Sequence, residues 1–314
     1  MKSQIKKLID DSNSILLLTH ESPDGDAIGS VLAFYHYLTA INKNVDMVVI
    51  DVPKVFEFLP SIDKIVDNVS KKYDLGIVVD CAAKERIGQK NNLFNMCKKT
   101  ICIDHHFSNT NYCDINYVAG DISSCCQVIY YLFKDYDINI STGIGEALIT
   151  GMLTDTNGFR NNNVSSETYS MASELLNAGV NISDIYDRVL CKKTMSRYNL
   201  MKIAMDRLEF LSDGKIAFTY IMKDDFNNVG AIIGEHEGIV DIGRSIDGVM
   251  VSIFIREDDG YTVSLRSTGT VDVSKIALSL DGGGHMMAAG CKLYGSFEEV
   301  KETIINKTKK ELFK

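Results

Sequence analysis

A chain of 314 residues is long enough for one large or two ordinary domains, each with a core of its own. With 45% hydrophobic and 24% charged residues it reads as globular, and no apolar run reaches the length of a bilayer span. A net charge of −9 argues against a surface that tracks long nucleic acid through many phosphate contacts, though a metal cluster can still supply positive charge for a small phosphorylated ligand.

The N-terminus, "MKSQIKKLIDDSNS", is polar and lacks an apolar signal core, which predicts a cytoplasmic protein with no membrane association. Eight cysteines without a CxxC pair point to buried thiols rather than a disulfide framework or zinc cluster. "SILLLTH" then reads as a buried strand, and the spacing of Val31, Phe34 and Leu38 predicts a helix over 27–41. "NVDMVVID", "DLGIVVDCA" and "TICIDHH" read as further strands rich in β-branched residues. Apolar strands separated by helices predict a parallel sheet covered on both faces, with polar residues at the carboxyl strand ends marking a ligand site. The stretch from Ser123 to about Leu211 is mostly helical, with Ser165 or Ser166 as a cap and 190–211 as a charged connecting helix. "KIAFTYIM", "GVMVSIFIRE" and "YTVSLRST" are strand-like, the last two joined across Asp258-Asp259-Gly260 as a hairpin. A helix, a glycine-rich loop and an amphipathic helix carrying Phe297, Val300, Ile304 and Leu312 complete the chain. The expected α/β organisation is an N-terminal domain over 1–190, a linker helix over 191–210 and a smaller α/β domain over 211–314, with the active site in the cleft between the domains.

Singly, the polar residues of the first half have plain structural readings: Asp26 as a helix N-cap, Asp24 as a loop former, Asp80 as a hydrogen-bonded strand end. Together they say more. If His20, Asp24, Asp26, Asp80, His105 and Asp155 converge, four carboxylates share one pocket and would repel each other without cations. Two divalent ions balance that charge, and mixed imidazole and carboxylate donors suit Mn²⁺ better than Mg²⁺. In the C-terminal region, Gly282, Gly283 and Gly284 allow backbone amides to approach an anion, with His285 as a donor and Arg266 and Ser267 at a strand end nearby in sequence. The alternative for "GGG" is a tight turn between helix and strand.

"HESPDGDAIGS", "VVDCA", "DHH" and "TDTNGFR" resemble the four motifs of the DHH phosphoesterase family, and "LRSTG" with "GGGHMMAAG" resembles its DHH-associated C-terminal domain. The resemblance covers nearly the whole chain. It implies that His20 and Asp24 hold one manganese, that Asp26, His105 and Asp155 hold a second, and that Asp80 bridges both. It also implies that Asp104 orients the histidine pair and that His106 faces the scissile phosphate, so that His106, Asp104 and Asp80 are the catalytic group. Arg266, Ser267, Gly283, Gly284 and His285 are then the substrate-binding group. Asn157 departs from the glycine common in relatives, and its tolerance of positive φ predicts that the turn survives. Asn161 stands where relatives often carry an aromatic.

The compact two-domain form is similar to the branch that degrades short oligoribonucleotides and dephosphorylates adenosine 3′,5′-bisphosphate (pAp), and a homodimer is compatible with it. The implied reaction is two-metal hydrolysis at phosphorus. The alternative substrate is a cyclic dinucleotide, c-di-AMP, or its linear product pApA. "GGGH" separates the chain from the pyrophosphatases that share the N-terminal motifs. With 16 acidic against 12 basic residues over 210–314, a processive exonuclease channel is not expected.

Overall fold

The computed structural model describes residues 1–313 and divides into two compact units, Met1–Lys192 and Lys193 onward. The first opens with helix α1 (Lys2–Asp11), strand β1 (Ser14–Leu18) and helix α2 (Gly25–Ala40). It continues through strands β2 (Asn44–Val48), β3 (Ile65–Val66) and β4 (Tyr73–Val79), the one-turn helix α3 (Asn91–Phe94), and strands β5 (Cys97–Asp104) and β6 (Ile115–Val118). Helices α4 (Cys125–Asp135), α5 (Thr142–Asp155), α6 (Ser166–Asn177) and α7 (Ile182–Tyr186) complete it.

The six strands pair in the order β3-β2-β1-β4-β5-β6, all parallel. Side-chain alternation explains why β1 is apolar throughout. Ile15 and Leu17 enter the main core with α2, α4 and α5, whereas Leu16 and Leu18 enter a second cluster with Val78, Ile87 and Leu93 on the other face. Helix α2 starts at Gly25, two residues earlier than an Asp26 cap requires. The N-cap is therefore Asp24, whose Oδ1 accepts from the amides of Asp26 and Ala27, both at 3.0 Å. Ser165 takes the expected capping position of α6.

Small residues let α2 and α5 cross at close range. A Cβ on Gly29 would lie 2.3 Å from the carbonyl oxygen of Ala147, and one on Gly151 would lie 2.3 Å from Cys126 Sγ and 2.6 Å from Asp26 Oδ1. This approach brings the end of α5 to the start of α2.

The second unit begins with helix α8 (Met195–Asp206), strands β7 (Glu209–Leu211) and β8 (Ile216–Ile221), and helices α9 (Lys223–Val229) and α10 (Ile239–Arg244). Strands β9 (Val251–Asp258) and β10 (Gly260–Ser267), helix α11 (Val273–Leu278), strands β11 (Gly283–His285) and β12 (Ala288–Leu293), and helix α12 (Phe297–Leu312) follow. Its mixed sheet runs β11-β12-β10-β9-β8-β7. β9 and β10 form the expected hairpin, with Asp258 paired to Gly260, whose φ of +95° suits glycine. Helix α8, read from sequence as a linker, buries Leu200 and Ala204 against Ile221, Phe226, Ile239 and Phe254 of this unit.

The glycine-rich loop is corrected to a strand: Gly283, Gly284 and His285 pair antiparallel with Gly290, Ala289 and Ala288. A Cβ on Gly282 would sit 2.3 Å from the carbonyl oxygen of Gly290, and one on Gly284, at φ +138°, would sit 2.5 Å from Ala289 Cα. Two of the three glycines are thus required by close strand approach, while Gly283 faces open space. Among the described residues no helix is long and apolar enough to cross a membrane.

Candidate metal centre

The chain leaves β1 for β2 and β3 on one side of the sheet, and returns to place β4, β5 and β6 on the other. The carboxyl ends of β1 and β4 therefore diverge into a crevice at the topological switch point. His20 follows β1, Asp80 follows β4, and His105 and His106 follow β5, while Asp24 and Asp26 open α2 and Asp155 closes α5.

All six residues expected to bind metal come together. Ligand atoms within 4.8 Å of one another form three groups: His20, Asp24 and Asp80; Asp26, His105 and Asp155; and Asp80, His105 and His106. His105 Nε2 lies 3.4 Å from Asp155 Oδ2, 3.6 Å from Asp80 Oδ1 and 3.8 Å from Asp26 Oδ2. His20 Nε2 lies 3.7 Å from Asp80 Oδ2.

Backbone contacts set the ring orientations. Nδ1–H of His20 donates to the carbonyl of Glu21 at 2.8 Å, and that of His105 to the carbonyl of Ile122 at 3.1 Å. Each ring thereby turns its Nε2 lone pair toward the carboxylates, the arrangement that metal-ligating histidines adopt. Asp26 is fully buried. Its Oδ2 and Oδ1 accept from the amides of Cys125 at 2.6 Å and Cys126 at 2.9 Å, in the first turn of α4, where the helix dipole favours an anion. Asp80 is 2% exposed with φ +52°, a left-handed conformation unusual for a non-glycine residue, and its Oδ1 has no hydrogen-bond partner.

The electrostatics are those of a site short of positive charge. Burial, then the charges of Asp80 and Asp155, push the Asp26 carboxyl well above the ordinary carboxylate range. Burial raises Asp155 to about 6, opposed by His105 and reinforced by Asp80 and Asp24. Burial works against a charged His20, yet the Asp80 carboxylate and the Glu21 carbonyl outweigh it and raise its pKa. The donor set is oxygen and imidazole nitrogen without thiolate, which fits Mg²⁺, Mn²⁺ or a similar divalent cation. The orphaned Asp80 Oδ1 is the atom that such cations would satisfy.

Asp104, fully buried at the end of β5, holds the His106 ring and the His105 backbone amide. Its Oδ1 accepts from the His105 amide at 2.9 Å and from His106 Nδ1–H at 2.8 Å. This contact raises the His106 pKa and leaves Nε2 as its outward atom. For Asp104 itself, burial is outweighed by the bonds from His106 and Asn109, and its pKa falls. The sequence reading missed Asn109, whose side-chain amide donates to Asp104 Oδ2 at 2.6 Å, because nothing in "DHHFSNT" sets that asparagine apart from a loop residue. The turn after Asp155 survives its departure from glycine, with Asn157 at φ +49°.

In the second unit, Arg266 and His285 both pair with Ala288, from β10 and β11. They therefore occupy one row of the sheet and share a face, two strands or roughly 10 Å apart. Among the described residues Arg266 forms no ion pair, and its Nη1 donates to the Leu265 carbonyl at 3.1 Å. His285 is exposed. Ser267 is corrected: it is fully buried, and its Oγ accepts from the amides of Gly269 and Val271, so it shapes the turn after β10 rather than facing a ligand.

A polar crevice of six convergent carboxylate and imidazole ligands on a parallel sheet defines a metal-dependent phosphoesterase architecture, and the chain belongs to the DHH phosphoesterase family. Residues 14–152 match the DHH family N-terminal domain, and residues 213–312 match the DHHA1 domain. Among characterised relatives, the chain is 32% identical to the bifunctional oligoribonuclease and PAP phosphatase NrnA of Thermus thermophilus, over 95% of this chain and 90% of that one. It is 30% identical to NrnA of Bacillus subtilis over 94% of each. The fold superimposes with a TM-score of 0.88 and 31% identity on an exopolyphosphatase-related protein of Bacteroides fragilis, covering 98% of this chain and 95% of that one. RecJ of Thermus thermophilus in complex with Mn²⁺ shares the fold at a TM-score of 0.54 and 13% identity, over 98% of this chain and 54% of RecJ.

Proposed function

We propose that this chain is a phosphodiesterase and phosphatase that hydrolyses short oligoribonucleotides to mononucleotides and pAp to AMP and phosphate, with two divalent ions, preferably manganese, as cofactor. The observation that carries this reading is the convergence of six carboxylate and imidazole side chains in overlapping groups, with the unpartnered Oδ1 of Asp80 among them. The two NrnA relatives, by what their names state, support the substrate class.

On this reading His20 and Asp24 hold one ion, Asp26, His105 and Asp155 hold the other, and Asp80 reaches both. When bound, the ion pair supplies Lewis acidity at the phosphoryl oxygens and lowers the pKa of a water for attack on phosphorus. His106, held through Nδ1 by Asp104, presents Nε2 as a hydrogen-bond donor to a phosphoryl oxygen. Arg266 and His285 bind a phosphate or terminal nucleotide away from the scissile bond. Gly283, the one glycine of its run with open space at Cβ, gives an anion access to the backbone there, whereas Gly284 serves the strand pairing.

One substrate panel tests the proposal. Purified protein is assayed with Mn²⁺ and with excess chelator against pAp, pApA, a five-nucleotide RNA, a long RNA, c-di-AMP and pyrophosphate. Turnover of pAp and short RNA that is lost on chelation and returns best with Mn²⁺ is expected. Full activity in chelator refutes the metal reading, and exclusive turnover of c-di-AMP or pyrophosphate refutes the substrate reading.

A further inference from the structure

Phe107 is the most exposed large hydrophobic side chain among the described residues, at 87%, and it immediately follows His106. An isolated exposed phenylalanine needs no explanation. This one is held in place from several directions. Its ring rests on Gly120, where an added Cβ would lie 2.6–2.9 Å from three ring carbons, so glycine at 120 makes the seat. Gly120 follows Ala119, whose amide donates to the carbonyl of Asp104 at 3.0 Å, which puts the seat at the carboxyl tips of β5 and β6.

The backbone around Phe107 is pinned as well. The Asn109 amide donates to the His106 carbonyl at 3.1 Å, and the Thr110 amide to the Ala82 carbonyl at 2.9 Å. The Asn109 side chain ties the same loop to Asp104. A rigid, solvent-facing aromatic ring thus stands on the rim that carries His105 and His106.

We infer that Phe107 is a stacking platform for a nucleobase of the substrate, a binding residue that makes the site select nucleotides over base-free phosphoesters. The inference rests on the nucleotide-hydrolase reading above and adds to it the side chain that recognises the base. Every base has a π-face, so the contact suits a site that accepts short RNA of mixed sequence.

Two measurements decide the matter. The first compares wild type with Phe107→Ala, Phe107→Leu and Phe107→Tyr on pApA and on the same phosphodiester lacking its bases. A KM rise of about tenfold for pApA is expected in Phe107→Ala and Phe107→Leu, with kcat, bound manganese and melting temperature nearly unchanged. Phe107→Tyr should keep wild-type KM, and the base-free diester should show no difference among the four proteins.

The second measurement uses the absence of tryptophan from the chain. Phe107→Trp introduces a single indole, whose emission AMP should quench saturably while ribose 5-phosphate should not. Equal KM changes on both diesters, unchanged KM for pApA, or equal quenching by both ligands each overturns the inference. Failure of the wild type to turn over any nucleotide overturns the function proposed above, whereas the indole signal still decides whether this ring stacks on a base.

Discussion

Removing the Asp155 charge should stabilise the metal-free protein and destabilise the metal-loaded one. Burial and the nearby Asp80 and Asp24 carboxylates raise the Asp155 pKa from 3.8 to about 6, against His105. A carboxyl whose folded pKa lies above its unfolded value binds its proton more tightly in the folded state. Its contribution is fully present below about pH 4 and is lost as pH rises to about 6. Two pKa units at about 1.4 kcal/mol each set an upper bound of roughly 3 kcal/mol at neutral pH, reduced by the solvent that reaches this partly exposed side chain.

Asp155→Asn cannot ionise, so in excess chelator at pH 7.5 it should melt up to about 6–12 °C above wild type, given about 2–4 °C per kcal/mol for a unit of this size. At pH 4 the two should coincide. With saturating Mn²⁺ at pH 7.5 the order should reverse, because the variant has lost a charged ligand and with it part of the stabilisation that binding confers. Thermal melts from pH 4 to 8, with chelator and with Mn²⁺, make the comparison. Equal melting temperatures in chelator at pH 7.5, or a variant that stays more stable when Mn²⁺ is saturating, would refute the account of the site as a cluster of mutually repelling carboxylates held together by cations.

Other outcomes follow from the same geometry. Asp80→Ala should abolish turnover, whereas His106→Ala should keep manganese bound and lower kcat; loss of manganese from His106→Ala, read by metal analysis, would show that His106 belongs to the ligand set. Arg266→Ala and His285→Ala should each cost about 1.5–3 kcal/mol of substrate binding, on the order of tenfold to a hundredfold in kcat/KM for pAp, with melting temperature unchanged; an unfolded or fully active variant would remove that residue from the substrate site. Gly282→Ala should lower the stability of the second unit, since its Cβ would meet the Gly290 carbonyl oxygen at 2.3 Å, and Gly283→Ala should not; chemical denaturation of both variants tests the pair.

The polar residues that interrupt apolar strands were legible because a parallel sheet collects its strand ends at one edge. His20, Asp80 and His105 each follow a run whose composition marks it as buried on both faces. Short edge elements such as β3 and β6 carry too few residues for a period to show. The strand at Gly283–His285 was illegible for a different reason: glycine's sequence signal is turn-like, and only the pairing with β12 reveals that Gly282 and Gly284 are needed for close approach. Ser267 was misread because a serine beside an arginine at a strand end looks accessible, while strand alternation turns it inward. The amides of Cys125 and Cys126 that hold Asp26 lie 99 and 100 residues away from it, and no local pattern encodes that contact.

That long-range contact also bears on how the centre opens. Asp26 joins the first turn of α4 to the first turn of α2, where Gly151 of α5 packs directly against it. The amides of Cys125 and Cys126 can therefore exchange with solvent only when these three helices separate, an event close to global unfolding of the first unit. Asp24, by contrast, is exposed at the rim, where its cap on α2 can fray by itself. On the ion assignment proposed above, the position near Asp24 should therefore exchange its ion faster than the one near Asp26, whose carboxylate is held in place by amides that open only with the core.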